Sequence, residues 1–178
     1  EEGIEVTSLP GPAACITALT MSGQPTRRFA FEAFLPREKK ERAAVLEELK
    51  NETRTIILYE APHHLVKTLK ELYEVLGNRK LTICKELTKR YENATVTTLE
   101  EVQSRYTDEE PRGEHVLIIA GKTREELQEE KQQAWNELTI GEHMAHYESQ
   151  GIARKEAMKL VAKDRGISKR DVYQELLK

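Results

Sequence analysis

The sequence predicts an α/β fold, a mixed sheet flanked by helices, followed by a small all-helical helix-turn-helix tail. Three observations carry that expectation. Short runs rich in Ile, Val, Leu and Phe alternate with stretches of helical periodicity, the order of an α/β layer structure. The connection between the runs that begin at Lys80 and Ala94 is too short for a helical crossover, so that pair is antiparallel and the sheet mixed. Residues 151–178 carry eight bases against four acids, whereas the whole chain has a formal net charge of −3.

A length of 178 residues suits one ordinary domain with an appendage. Cys15 and Cys84 lie in apolar surroundings and suit reduced, buried thiols in a cytosolic protein, so a cytoplasmic location is expected. His63-His64 and His143-Met-Ala-His146 are the nearest approach to ligand spacing, and neither has partner ligands, so no metal site is expected. No apolar run reaches the roughly 18 residues of a membrane span, so no membrane is expected as a partner. The chain opens at Glu1-Glu-Gly, without Met and directly before a strand, and so reads as part of something longer.

Residues 4–9 alternate apolar and polar side chains and read as a strand. Pro10-Gly-Pro12 breaks it, and 13–21 form a small-residue helix ended by Gly23 and Pro25. With Ala13 and Ala14 at the helix start, a ligand can approach backbone N–H groups; a plain strand-to-helix turn fits equally. Residues 28–35 form a strand, with Phe29 and Phe31 on one face and Phe34 and Leu35 beyond, stopped by Pro36. The helix over 37–51 begins with Arg37, Lys39, Lys40 and Arg42, cations that oppose its macrodipole. A phosphate partner or a solvated face would account for them.

The organising stretch is Thr55-Ile-Ile-Leu-Tyr-Glu-Ala-Pro-His-His64. Residues 56–59 are β-prone, Glu60 sits at the strand end, and Pro62 suits the first turn of a helix. Leu65, Leu69, Leu72 and Leu76 recur at helical spacing. Ligands of open α/β sheets bind at the carboxyl ends of strands, which makes Tyr59 and Glu60 candidates; Glu60 could equally cap the helix dipole. Residues 80–86 form another strand, and 87–90 leave its end, beside Tyr59 and Glu60 if the two strands are neighbours. A short strand over 94–98, a helix over 99–106, a polar loop over 108–113 and a buried strand over 114–120 complete the layer, which spans 1–122.

Residues 123–150 hold seven acids and two bases and read as an acidic helical linker. The basic tail, 151–178, places a helix over 153–164, a turn at Arg165-Gly166-Ile167, and a second helix capped by Ser168 with Asp171 three residues on. Arg154, Lys155, Lys163, Arg165, Lys169 and Arg170 suit phosphate neutralisation; a helical hairpin packed on its own chain is the alternative.

Six motifs in register, Leu9-Pro-Gly-Pro-Ala-Ala14, Ser22-Gly-Gln-Pro25, Phe34-Leu-Pro36, Tyr59-Glu-Ala-Pro-His63, Glu86-Leu-Thr-Lys89 and Gly113-Glu-His-Val-Leu117, together resemble one family. It is the ribosomal RNA small subunit methyltransferase I family, tetrapyrrole-methylase-like enzymes that methylate a ribose 2′-hydroxyl in 16S rRNA. The resemblance implies S-adenosylmethionine as cofactor, 16S rRNA of the small ribosomal subunit as partner, and an N-terminal domain that this stretch lacks. It implies the C-terminal domain of a tetrapyrrole-methylase-like fold, with Ala13, Ala14, Glu60 and Leu87 lining the cofactor and Tyr59 and Glu86 as lesser additions. Glu60, Glu86 and Lys89 are then the candidates for proton handling. The sequence departs from the family pattern at His64 and Lys85, where Arg is common, and Lys does not reproduce a bidentate Arg contact. A non-enzymatic nucleic-acid-binding module and a tetrapyrrole methyltransferase relative are the rival readings. Pairing of the chain with a second copy stays open.

Overall fold

The computed structural model describes residues 7–106 and 110–177. The chain divides into two compact units, residues 1–122 and 123–178. Of the strand expected over 4–9, residues 4–6 lie outside the described part and 7–9 carry no regular structure. Residues 108 and 109 of the expected polar loop also lie outside it.

The first unit is a three-layer sandwich. Its sheet comprises β1 (Phe29–Phe34), β2 (Thr55–Glu60), β3 (Lys80–Lys85), β4 (Asn93–Thr98) and β5 (His115–Ile119), in the spatial order β1-β2-β5-β3-β4. Only β1 and β2 pair in parallel; β5 runs antiparallel to both β2 and β3, and β4 to β3. The condition under which residues 87–90 would lie directly beside Tyr59 and Glu60, that their strands are neighbours, is not met: β5 is inserted between them. The reason is apolar on both faces. All five residues of β5 are buried, and a strand of that kind is driven to the sheet centre. Since β2 and β3 still point the same way, their carboxyl ends share one edge, two strand spacings or roughly 10 Å apart.

Alternate residues sort onto the two faces. Ile56 and Leu58 of β2, Leu117 and Ile119 of β5, and Leu81 and Ile83 of β3 form the larger core. Covering it are α2 (Lys39–Leu49), α3 (Pro62–Leu76) and α4 (Leu99–Arg105), through Leu46, Leu49, Leu65, Leu69, Leu72, Leu76, Leu99 and Val102. The opposite face, Ile57, Cys84, Val116 and Ile118, packs on Ala18 and Leu19 of α1 (Ala14–Met21). Burial raises the Cys84 thiol to about 11, so it stays protonated as a core residue. Cys15 is only half-buried, because it lies in the first turn of α1 at the sheet margin.

One irregularity matters for the site. The pairing of β1 with β2 shifts between Phe31 and Ala33, a bulge in which Ala33 adopts a left-handed φ of 51°. The extra residue brings Phe34 onto the same face as Phe31, opposite Tyr59. The Tyr59 ring meets Phe31 edge-on at 5.1 Å and Phe34 at 5.6 Å.

In the second unit, α5 (Arg124–Asn136), α6 (Ile140–Ser149), α7 (Arg154–Arg165) and α8 (Lys169–Glu175) form a helical unit around Met144, Ala157, Val161, Ala162 and Val172. The acidic stretch 123–150, read as a linker, supplies α5 and α6 of this unit. Gly166 ends α7 with φ 64°, and Ser168 and Asp171 make a capping box at α8. His143 is fully buried, stacked on Trp135 at 3.8 Å, and its Nδ1 accepts a bond from Arg165. Its Nε2 lies 3.4 Å from Asp164. Burial, followed by the Arg165 charge, holds this imidazole below its ordinary range.

Leu117 is fully buried in the central strand, so Leu117→Ala is expected to destabilise the first unit by about 2–5 kcal/mol in chemical denaturation. The His143 shift has a definite sign. A depressed imidazole contributes stability that is complete above the unfolded value of about 6.5 and is lost as pH falls through the folded one. Stability followed by Trp135 fluorescence should therefore fall as pH drops below about 6.5, and His143→Gln should flatten that dependence.

Candidate functional site

The carboxyl ends of β1, β2 and β3 and the start of β5 form one edge of the sheet, the place where ligands of open α/β sheets bind. A cleft of about 510 Å³ lies there, lined by Ala14, Phe34, Tyr59, Glu60, Ala61, Pro62, Glu114, His115 and Val116. Three residues expected from the sequence, Ala14, Tyr59 and Glu60, thus share one cavity. Leu87 packs into the apolar cluster that also includes Tyr59 and Cys15, while Ala13 is the N-cap of α1 and makes no side-chain cap. Tyr59 holds α1 in place: its hydroxyl accepts the Cys15 N–H at 3.0 Å. Burial raises the phenol above its ordinary value, so the group stays neutral and the bond persists.

Glu60 is buried to 6% exposure, and its carboxylate is committed. One oxygen accepts the Ala61 N–H at 2.9 Å, and the other accepts the Thr68 hydroxyl at 2.5 Å. Thr68 in turn accepts Arg42 at 2.7 Å, and Arg42 is paired to Glu71 at 2.7 Å. This chain ties β2, α3 and α2 together. Glu60 therefore aims toward α3, and its role at the cleft is to fix the backbone from Tyr59 to Pro62.

His115 is the group sequence reasoning left without a role. Register places it in the last row of the sheet, between Glu60 and Lys85. It is 2% exposed, and neither ring nitrogen makes a hydrogen bond of good geometry to a described residue, although the Gly113 backbone lies close enough to act on the ring. Burial first, and the Lys85 charge second, lower its pKa, against weaker opposing pulls from the Gly113 backbone and Glu86. A neutral imidazole with hydrogen-bonding capacity to spare in a cleft wall is a polar group that a bound molecule or a water can satisfy. The available signal was a histidine at the head of an otherwise aliphatic strand, Glu-His-Val-Leu-Ile-Ile.

Glu86 departs from its expected place. It sits at φ 52°, and its carboxylate accepts the Glu114 N–H at 3.0 Å and Lys89 at 3.3 Å. Those two donors hold its pKa below the ordinary carboxylate range. Gly113 sits at φ 81°, a conformation that favours glycine, and a Cβ there would also come within 2.5 Å of this carboxylate. Lys89 also pairs with Glu114 at 3.0 Å. Glu86 and Lys89 are thus the clasp between the loop after β3 and the start of β5.

In the second unit Arg154, Lys155, Lys163 and Arg170 are exposed and Lys169 is half-buried. Lys159 falls between Lys155 and Lys163 at helical spacing and extends that stripe, although it pairs with Glu156. Arg165 is a correction to the expected phosphate set. Its guanidinium donates to His143 and to the carbonyls of Leu138 at 2.6 Å and Thr139 at 3.1 Å, closing the loop between α5 and α6.

A mixed sheet with helices on both faces and a cleft at its carboxyl edge defines an α/β ligand-binding domain. Residues 1–103 match the family model for tetrapyrrole (corrin/porphyrin) methylases, and the chain belongs to that family. The crystal structure of the methyltransferase CobJ superimposes with a TM-score of 0.52 over 67% of this chain and 52% of that one; at 19% identity, this shows the fold. Ribosomal RNA small subunit methyltransferase I of Halalkalibacterium halodurans is 45% identical over 173 residues, 97% of this chain and 59% of that protein. The Bacillus subtilis protein of that name is 45% identical over 168 residues, 94% of this chain and 57% of its own length. The chain thus spans somewhat under three-fifths of these relatives.

Thr68→Val keeps the side-chain volume and removes the hydroxyl that Glu60 and Arg42 share. It is expected to cost about 1–3 kcal/mol of first-unit stability, because a buried carboxylate loses a donor. An unchanged denaturation midpoint would remove the network from the account of the site.

Proposed function

We propose that this chain supplies one wall of the active site of an S-adenosylmethionine-dependent methyltransferase that modifies a ribose 2′-hydroxyl in small-subunit ribosomal RNA. One observation supports it above the rest: the carboxyl-edge cleft presents a buried His115 with hydrogen-bonding capacity to spare in a chain 45% identical to small-subunit rRNA methyltransferases I. The family model alone leaves a tetrapyrrole substrate open; the two rRNA relatives, matched over nearly the whole chain, favour RNA.

The residues fit the cofactor in kind. Ala14, Tyr59 and Val116 give apolar and aromatic wall for a flat base, and His115 offers hydrogen-bonding capacity that the protein leaves largely unused. The cofactor supplies an electrophilic methyl on a sulfonium. The chain's own work is then alignment and water exclusion, the proximity part of catalysis. Glu60 positions; its oxygens already accept Ala61 and Thr68, so it is poorly placed to take a ribose proton. Glu86 and Lys89, occupied with each other and with Glu114, are equally committed. The exposed bases of α7 and α8 add phosphate contacts, and a cytoplasmic setting accords with a ribosomal substrate.

The test is transfer of labelled methyl from S-adenosylmethionine to small ribosomal subunits by the full-length protein, with a corrin precursor as the competing substrate. Label in ribose supports the proposal; label in the corrin alone would replace it with the tetrapyrrole reading. Residues 1–178 by themselves are expected to give no turnover, since about two-fifths of the relatives' length lies outside the matched part.

A further inference from the structure

A second cavity, about 700 Å³, opens on the α2–α3 side of the same sheet edge and shares Phe34, Glu60 and Ala61 with the first. Its polar lining is cationic: Arg37, Arg42 and Lys67, with the neighbouring rings of His63 and His64. The only carboxylate in the wall, Glu60, is consumed by Ala61 and Thr68. Arg42 is fixed by Glu71 and Thr68. Lys67 reaches Glu71 only at 3.7 Å, with 70% of its side chain exposed, a pairing worth little in water. Arg37 precedes α2 and donates no hydrogen bond to any described residue. Glu38 caps α2 and Glu71 faces both Arg42 and Lys67, but neither lines the cavity, whose own wall presents the three cations.

Phe34 supplies the complementary half of the surface. It is 61% exposed, held on the shared rim by the bulge in β1, and braced edge-on by Tyr59. An exposed aromatic beside a cationic groove is the combination by which proteins hold single-stranded nucleic acid, bases stacking on rings and phosphates meeting Lys and Arg.

We infer that the Arg37–Lys67 cavity is where the first unit grips the phosphodiester backbone flanking the target nucleotide of a single-stranded RNA segment, with Phe34 as the stacking platform between this cavity and the cofactor cleft. The inference rests on the methyltransferase reading and goes beyond it in locating the substrate strand on the α/β unit, apart from the basic helices. Continuity gives the geometry: a strand whose ribose enters the first cleft continues across Phe34 into the second.

The experiment uses the full-length protein and a labelled single-stranded RNA oligonucleotide, with affinity measured across a salt series. Arg37→Ala combined with Lys67→Ala is expected to lower the slope of log affinity against log salt by about 1.4, two contacts at roughly 0.7 each. In the methylation assay KM for RNA should rise while kcat and S-adenosylmethionine affinity stay unchanged. Lys70→Ala, an exposed position on α3 outside the cavity, serves as the control and should leave the slope alone. An unaltered slope in the double variant, or loss confined to S-adenosylmethionine binding, overturns the inference. If the wild-type protein binds the oligonucleotide with a slope that drops in the variant yet transfers no methyl, the cavity stands and the methyltransferase reading falls. Absence of RNA binding by the wild-type protein removes both.

Discussion

The insertion of β5 between β2 and β3 is the constraint on which the first unit depends. A strand whose five residues are all buried must be covered on both faces, so α1 is required on one side and α2, α3 and α4 on the other. Because β5 is antiparallel to both neighbours, it turns the carboxyl ends of β2 and β3 to one edge and sets its own first residue between them. That residue is His115. A parallel strand in the same place would have put an aliphatic residue there and left the imidazole at the far end.

The row that results, Glu60, His115 and Lys85, divides into different fates through contacts the register does not specify. Glu60 finds donors in Ala61 and Thr68 and becomes a structural anion. His115 finds no well-formed partner, only the Gly113 backbone nearby, and burial favours its neutral form. Retaining such a ring without a well-formed hydrogen bond costs free energy on the order of 1–3 kcal/mol. A ligand group that satisfies it recovers part of that cost on binding. His143 differs: its Nδ1 is taken by Arg165 and its ring stacks on Trp135 beside Tyr147, so it is a core residue of the second unit.

Much of this was legible before any coordinates. The alternation of apolar runs with helical periodicity gave the layers, the short 86–93 connection gave the antiparallel β3–β4 pair, and the Ser168–Asp171 spacing gave the start of α8. Strand order was not legible, because periodicity reports which faces are buried and says nothing about which strand lies beside which. The β1 bulge was equally hidden: nothing in Phe-Glu-Ala-Phe marks Ala33 for a left-handed φ. The protein partners of Glu86 and Arg165 were not legible for a shared reason. A charged side chain in a motif or a basic run looks available until the backbone groups that claim it, Glu114 N–H in one case and two loop carbonyls in the other, are in view.

These commitments narrow what the cleft can do chemically. Among the charged and polar residues proposed for proton handling, Glu60, Glu86 and Lys89 are each held by protein partners, and a group that must break two internal hydrogen bonds to act is a poor acid or base. His115 alone among the cleft's buried polar side chains keeps unspent hydrogen-bonding capacity. Its buried position at the strand head also limits it: a ring this enclosed meets only what has already entered the cleft. The surface therefore separates two tasks by solvent access. On the proposed reading, the charges that meet the polyanion stand on the α2 and α3 rim, where water screens them. His115, the group proposed to meet the ligand inside, is kept neutral and dry, where a single hydrogen bond weighs most.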